Sequence, residues 1–329
     1  MPSRLYLVAG NKPSTAGPVI ATSPNAATWT EPTVPGTIGV DAVIAGGPRF
    51  VAPLATSSVS DNYLHSVDAV TWTVGSTGTT TSLRVGVYGG DRYVAIASNG
   101  NSVTSTDGLA WAVHTGVLPT GAWREINYWA GLFVAVGPVV AYSADGITWT
   151  TSSVSAATVA YGRGVFVATG QTAISGEGDP ATTVTATSPD MVTWTPRNSF
   201  GGGWSASAYS GGFLVLGQGF NSLESPTTFT IRMSSPDGVN WTYSRMQSLP
   251  LISLTLLKQL VGGRGRFVYA PTAQNPDSTI SVSSDGVSWS TTTFTDRSWR
   301  GIALFDPGRV GGGWRLGMAW GSPVGVGWH

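Results

Sequence analysis

The feature of this sequence that most constrains its fold is an eight-residue motif that occurs seven times along 329 residues. In chain order the copies read SPNAATWT, SVDAVTWT, STDGLAWA, SADGITWT, SPDMVTWT, SPDGVNWT and SSDGVSWS. Their tryptophans lie 43, 39, 38, 45, 47 and 48 residues apart. A period of about 40 to 50 residues is typical of an array of stacked supersecondary units, each burying its apolar face against its neighbours.

The residue types of the octet predict a tight turn followed by a strand. In the fourth copy Ser143 and Asp145 carry short polar side chains that bond to nearby backbone amides. Gly146 suits a positive φ, and Trp149 between two threonines predicts a strand with its indole turned inward. We therefore expect structural roles for Asp68, Asp107, Asp145, Asp190, Asp237 and Asp285, and for Trp29, Trp72, Trp111, Trp149, Trp194, Trp241 and Trp289.

Each unit reads as four short strands, which we name A to D. The fourth unit gives GAWREINYWAG, LFVAVGP, VVAYSADG and ITWTTSSV. Glycines between A and B are typical of a hairpin, and the B strand is a recurring apolar run such as RFVAPL or VFVATG. Seven such units predict an all-β fold, a seven-bladed β-propeller with four antiparallel strands in each blade.

The two ends of the chain predict how the ring closes. The first unit lacks an A strand, whereas SWRGIALFDPG follows the last D strand and reads as one. A C-terminal strand that completes the first blade removes an open sheet edge, which places the propeller in residues 1–310. Residues 311–329 then form a C-terminal extension. It is either an extra strand or a partner-binding tail that exposes Trp314, Trp320 and Trp328.

Composition excludes several classes of function. Only 10% of the residues are charged and the net charge is zero, which argues against nucleic-acid partners and anionic lipid. The absence of cysteine excludes disulfides and thiolate metal sites. No apolar run is long enough to span a membrane, the start shows no secretion signal, and the three histidines lack ligand spacing. We expect no metal, no cofactor and no membrane insertion.

The octet resembles the Asp-box of bacterial neuraminidase repeats, Ser-x-Asp-x-Gly-x-Thr-Trp, with one residue fewer between aspartate and tryptophan. This shorter form is similar to the repeat of bacterial and phage propellers. The resemblance implies a propeller whose boxes are structural turns away from the active face. Sialidase chemistry would also require an arginine cluster and a tyrosine paired with a glutamate. Arg84, Arg124, Arg232 and Arg300 are the arginines considered for the channel, but the family's N-terminal arginine motif is missing, so we expect no enzyme.

One face of the predicted ring is the better candidate for binding. The B–C and D–A connections share a face, and the longest insertions lie there, at residues 11–18, 55–62, 171–183, 218–228 and 271–279. Insertions confined to one face of a repeat array usually mark its binding side. The candidate binding residues are Trp123, Arg124, Glu177, Asp179, Trp204, Glu224, Asp277, Trp299 and Arg300. For the tryptophans among them, packing inside the propeller is the alternative to stacking on a ligand.

The functional hypothesis is a non-enzymatic virion protein, because the repeat resembles that of propellers in phage tails and tail tips. It would be assembled in a bacterial cytoplasm. Its partners would be other tail proteins, or a glycan or protein of the host surface. The alternatives are a free carbohydrate-binding propeller and a sialidase-like glycoside hydrolase.

Overall fold

The computed structural model describes residues 4–15, 17–56, 60–170, 185–200, 203–220, 228–246, 260–263, 265–271 and 277–306. They contain 26 strands and no helix. In the first three blades the strands are β1 (Leu5–Asn11), β2 (Pro18–Ser23), β3 (Phe50–Pro53), β4 (Tyr63–Ser66), β5 (Thr73–Gly75), β6 (Leu83–Gly89), β7 (Arg92–Ala97), β8 (Ser102–Ser105) and β9 (Ala112–His114).

The remaining blades continue in chain order. Blade 4 holds β10 (Glu125–Trp129), β11 (Leu132–Val136), β12 (Val140–Ser143) and β13 (Thr150–Thr151), and blade 5 holds β14 (Thr158–Gly162), β15 (Val165–Thr169), β16 (Thr185–Ser188) and β17 (Thr195–Arg197). Blade 6 holds β18 (Gly203–Tyr209), β19 (Phe213–Phe220), β20 (Thr228–Ser235) and β21 (Thr242–Met246), and blade 7 holds β22 (Leu260–Gly263), β23 (Arg266–Tyr269), β24 (Asp277–Ser283) and β25 (Ser290–Thr295). The last strand is β26 (Ser298–Phe305).

The seven sheets confirm the predicted propeller. Blades 3 to 7 are antiparallel sheets of four strands in the order A-B-C-D. Blades 1 and 2 each contain three strands, and isolated bridges fill the fourth place. Thr30 bridges to Thr22 as the D position of blade 1, and Val40 and Ile44 bridge to blade 2 as its A position. The order within each blade is therefore the same throughout the ring.

Ring closure also follows the prediction. The C-terminal strand β26 pairs antiparallel with β1 and occupies the A position of blade 1. Around the joint, the guanidinium of Arg297 binds the carboxylate of Glu31, with Nε 2.8 Å from Oε1. Between blades 7 and 1, Arg266 at the start of β23 donates to the carbonyl of Asn25 in the first octet at 2.7 Å. Because these bonds join residues more than 200 positions apart, they hold the two ends of the chain in one ring. The predicted extension, residues 311–329 with Trp314, Trp320 and Trp328, lies outside the described residues.

The octets form the turn that their residue types predict. In the fourth copy Oδ1 of Asp145 accepts hydrogen bonds from the amides of Ile147 and Thr148, both at 2.8 Å. The hydroxyl of Ser143 donates to the same carboxylate and accepts from the amide of Gly146. Equivalent carboxylate bonds recur at Asp68, Asp107, Asp190, Asp237 and Asp285, and Asn25 provides its amide oxygen in the first copy. These amide donors lower the pKa of Asp68 and of Asp285 to about 2.

The fourth octet residue joins each blade to the preceding one. It has a positive φ in all seven copies, including the non-glycine residues Ala26, Ala69 and Met191. A Cβ added to Gly146 would lie 2.4 Å from Cγ2 of Val94, on the B strand of the preceding blade. At Gly146 the turn therefore has a left-handed backbone and no room for a side chain, whereas at the equivalent position of blade 5 Met191 packs in the core with residues of blades 4 and 5. The octet tryptophans point inward as predicted, and none of the seven is exposed.

The B strands supply most of the apolar core between blades. Their aromatic residues Phe50, Tyr93, Phe133, Phe166 and Phe213 are almost completely buried. Each lies in a cluster that combines residues of neighbouring strands and blades. The A strands are left at the centre of the ring, where they line the channel.

Candidate binding site at the channel mouth

The antiparallel order gives the propeller two unlike faces. A–B and C–D turns lie on one face, which we call the turn face. B–C and D–A connections lie on the other, which we call the loop face. Each A strand begins at the loop face, so the first residues of the A strands surround the channel at that end. Of the insertions predicted to mark a binding side, residues 171–183 lie entirely outside the described residues, and those near 57–59, 221–227 and 272–276 do so in part.

A β-bulge recurs where the A strands begin. In blades 3, 6 and 1 the pairing between A and B skips one residue, which is Arg84, Ser205 or Arg300. In blades 2, 4 and 5 the amide of the equivalent residue donates to the B-strand carbonyl: Asp41 to Pro53, Arg124 to Val136 and Ala157 to Thr169. A bulge turns its extra residue away from the regular alternation of the strand. The equivalent residue of blade 7 lies outside the described residues.

At three of these bulges a buried tryptophan packs against a glycine on the opposite side of the A–B pair. Trp123, Trp204 and Trp299 each precede the bulged residue and are at most 1% exposed. Opposite them are Gly217 and Gly10 on the B strands and Gly137 directly after one, where an added Cβ would lie 2.9 to 3.0 Å from the tryptophan Cα. The indole nitrogens of Trp123 and Trp204 donate to the carbonyls of Pro119 and Phe200. These three tryptophans therefore pack inside the blades, and the prediction that they present a ligand-stacking surface is wrong.

Two of the predicted channel arginines meet on one buried aspartate. Asp41 is fully buried, and its two carboxylate oxygens accept from Nη1 of Arg84 and Nη1 of Arg300, both at 2.8 Å. The hydroxyl of Ser82 donates to the same carboxylate, and Nε of Arg300 donates to Oδ1 of Asn11. The arginine side chains remain 42% and 37% exposed. The carboxylate thus lies behind the two guanidinium groups, which face solvent.

A second carboxylate connects the next blades around the channel. Glu125 is 6% exposed, and its Oε1 accepts from the amide of Val159 at 2.9 Å and from the hydroxyl of Thr158. The hydroxyl oxygen of Thr158 in turn lies 2.7 Å from the hydroxyl oxygen of Ser207, within hydrogen-bond distance. This chain of bonds joins blades 4, 5 and 6. Glu125 also lies among the residues that line a pocket at the channel.

The A strands of blades 1 to 4 enclose a shallow pocket around these charges. Its lining includes Asp41, Arg84, Glu125 and Arg300, and it holds about 270 Å³ of empty space that is open to solvent. Because this space merges with bulk solvent, the pocket does not enclose a small molecule on all sides. No tyrosine lines the pocket in the described part of the chain. The pocket therefore suits a group presented by a larger ligand better than an enclosed substrate.

Among the described residues, no other predicted site residue bonds to Asp41. Arg232 lies on the C strand β20, where Nε donates to Ser244, so its assignment to the channel is wrong. Arg124 occupies the bulge of blade 4 and is half-buried. Asp277 begins β24, whereas Glu177, Asp179 and Glu224 lie outside the described residues. Asp41, which holds the site together, was not among the predicted residues.

The structure also bears on metals and membranes, within the residues it describes. Those residues contain no group of three or more histidine or acidic side chains that could hold a metal ion. Across the same residues, no helix has the length and apolar character needed to cross a membrane.

Comparisons with known proteins show the fold. No family model matches the chain, and no curated protein matches it. Among solved structures it is similar to YCF48 bound to a D1 peptide, with a TM-score of 0.53, 14% identity and coverage of 82% of this chain and 94% of that one. YCF48 from Cyanidioschyzon merolae matches with a TM-score of 0.48 and 12% identity over 94% and 98% of the two chains.

A third similar structure belongs to a much longer protein. PorZ, an essential bacterial surface component of the type-IX secretion system of Porphyromonas gingivalis, matches with a TM-score of 0.43 and 12% identity. The match covers 84% of this chain and 37% of that one. At these identities the likeness concerns the propeller fold.

Proposed function

We propose that this chain is a non-enzymatic propeller that binds a segment of a partner protein at the loop-face mouth of its channel. The observation that carries the proposal is the pair Arg84 and Arg300, fixed on the buried Asp41 with their guanidinium groups exposed. Fixed, solvent-facing guanidinium groups are common at protein interfaces because they bind at little further loss of side-chain freedom. The peptide bound to the similar YCF48 propeller supports the same class of ligand.

A binding role explains the site better than catalysis does. The two carboxylates near the pocket, Asp41 and Glu125, are buried and already accept hydrogen bonds from the channel wall. A glycosidase needs one carboxyl group free to donate a proton and another free to attack or to activate water. The sialidase alternative further needs a tyrosine, which the described lining of the pocket lacks.

For the biological setting we propose a virion, with the chain in a phage tail or tail tip. This rests on the octet repeat, the absence of cysteine and the low share of charged residues, 10%. The similar solved structures come from other settings, so the sequence pattern alone supports it. Mass spectrometry of purified particles tests the setting: the chain should be present in a fixed ratio to the tail proteins. Its absence from particles would remove the virion and leave the binding role to be tested separately.

Site-specific photo-crosslinking tests the binding role. A photoreactive residue is placed at Thr120 or Pro138 on the loop face, or at Ala144 or Arg163 on the turn face. All four residues are exposed. We expect one discrete protein adduct from the loop-face positions in the native host or particle, and none from the turn face. Equal labelling from both faces, or adducts from the turn face alone, would contradict the proposal. A glycan array is the parallel measurement, because tight glycan binding would favour the carbohydrate-binding alternative.

A further inference from the structure

We infer that the channel mouth is a carboxylate-binding site formed by Arg84, Arg300 and Arg124. The inference rests on the proposed function and specifies which chemical group of the partner the site receives. Arg84, Arg300 and Arg124 occupy the same bulge position in blades 3, 1 and 4. Asp41 occupies that position in blade 2, between the first two. Four neighbouring blades thus place charged residues around one side of the channel.

At this mouth the positively charged side chains are more exposed than the negatively charged ones. Three arginines stand against two carboxylates, Asp41 and Glu125, so the local excess is one positive charge. The carboxylates are 0% and 6% exposed, whereas the side chains of Arg84 and Arg300 are 42% and 37% exposed. An approaching ligand therefore meets guanidinium groups first, with the negative charge behind them. Asp41 orients the arginines and leaves N–H groups that its two oxygens do not engage.

The shape of the site limits the ligand. A guanidinium fork matches the two oxygens of a carboxylate and can bind it through paired hydrogen bonds. The pocket is shallow and open to solvent, so it can receive a small group at the end of a ligand and does not enclose a whole ligand. On the opposite side of the channel the equivalent bulges carry Ala157 and Ser205, which leave room for the chain that presents the group. The carboxylate can belong to a peptide C-terminus or to an acidic side chain.

Three acetylated pentapeptides of otherwise neutral residues distinguish these sources. The first has a free C-terminal carboxylate, the second is its C-terminal amide, and the third is an amide with one internal aspartate. The full chain is labelled with ¹⁵N-arginine, and the Nε–Hε signals are followed by NMR during titration. We expect the first or the third peptide to shift the signals of Arg84 and Arg300, and the second to shift neither. Equal binding of the amide peptide, or no shift at tens of millimolar with any peptide, would overturn the inference.

Arginine variants show whether the three residues form the site. Arg84→Gln and Arg124→Gln should each weaken binding of the acidic peptide about tenfold, equivalent to about 1.4 kcal/mol. Arg84→Lys keeps the charge but loses the fork, so it should recover only part of the affinity. Arg163→Gln is the matched control, because Arg163 is an exposed arginine in an A–B turn on the opposite face. A similar loss in the control would show that net charge alone governs binding and would overturn the site.

Folding of each variant is checked by its urea unfolding midpoint. Arg124→Gln is the variant less prone to misfold, since no side-chain hydrogen bond or ion pair of Arg124 is found among the described residues.

Carboxylate binding and partner binding can fail separately. A partner crosslinked through Thr120 whose affinity is unchanged in Arg84→Gln and Arg124→Gln would overturn the carboxylate site and leave the binding role. Carboxylate binding without any loop-face crosslink would count against the binding role alone.

Discussion

The octet turns and the channel mouth are both sets of equivalent positions that recur from blade to blade, but they differ in which residues occupy those positions. Six octets carry an aspartate at the third position and one an asparagine, and the same hydrogen bonds recur in each. At the A-strand bulge the six described residues are Arg300, Asp41, Arg84, Arg124, Ala157 and Ser205. Repetition of one residue type is the mark of a fold requirement, since every blade needs the same turn. Where the backbone geometry recurs but the side chain differs from blade to blade, the fold does not dictate the side chain, so these positions can form a binding site.

The largest expected effect tests whether the channel mouth acts as one unit. The double variant Arg84→Gln/Arg300→Gln leaves the carboxylate of Asp41 buried without a charged partner. An uncompensated buried charge costs about 3 to 5 kcal/mol, so we expect the double variant to lose about 4 kcal/mol of unfolding free energy. Each single variant retains one ion pair and should lose much less than half of that. Urea unfolding curves of the wild type, both single variants and the double variant measure the coupling.

The matched control for these variants adds Asp41→Asn to the double variant. This third substitution removes the buried charge and should restore most of the lost stability. If the two single effects simply add up to the double effect, the three side chains do not form a coupled unit.

The second prediction concerns the fourth octet, where the preceding blade leaves no room for a side chain at Gly146. Gly146→Ala places a methyl group 2.4 Å from Cγ2 of Val94 at a φ of 72°. The left-handed backbone costs about 1 to 2 kcal/mol for a residue with a Cβ, and overpacking adds about 1 to 3 kcal/mol. We expect a total loss of about 3 kcal/mol in unfolding free energy.

Gly164→Ala separates these two contributions. Gly164 has a φ of 81° in an A–B turn, and nothing lies within 4 Å of its added Cβ. Thermal and urea unfolding of this variant should show the backbone cost alone, about 1 kcal/mol. Equal losses for the two variants would mean that the contact with the preceding blade does not constrain the octet.

The smallest expected effect is a pH dependence of the octets. Backbone amide donors depress the pKa of Asp68 and Asp285 to about 2, below the unfolded value of about 4. A depressed folded pKa gives stability that is present above pH 4 and is lost as the pH falls through 2. Because these side chains are exposed, solvent screening limits each contribution to less than about 1 kcal/mol. The unfolding free energy should therefore decline between pH 5 and pH 2.

Asn25 provides the matched control for this decline. Its amide oxygen accepts the same two backbone bonds, at 2.8 and 2.9 Å, without a titrating charge. Asp68→Asn should flatten the pH dependence of the unfolding free energy, and Asn25→Asp should steepen it. An unchanged slope in both variants would show that the octet carboxylates are not the source of the acid sensitivity.

The sequence predicted the octet side of this comparison because all the information there is local. Ser143, Asp145 and Gly146 are within hydrogen-bond reach of one another by chain connectivity, and repetition at a period near 45 residues makes the pattern visible. The A–B hairpins were predictable for the same reason. The closing strand β26 was predictable because the first unit lacks an A strand and one follows the last unit. The site was predicted only in part: Arg300 and Arg124 reach the bulge positions, whereas Arg232 turned out to bind Ser244 on the outer strands.

By itself, the sequence determined the strand pattern, the number of blades and the strand that closes the ring. The first two depend on turn chemistry and alternation, which act over a few residues and are repeated seven times. The third follows from the A strand that the first unit lacks and that follows the last unit. Only the tertiary structure decided that Trp123, Trp204 and Trp299 are buried and that Asp41 joins Arg84 to Arg300. The physical reason is that those contacts span 43 and 259 residues and depend on bulges that re-aim side chains where four blades converge.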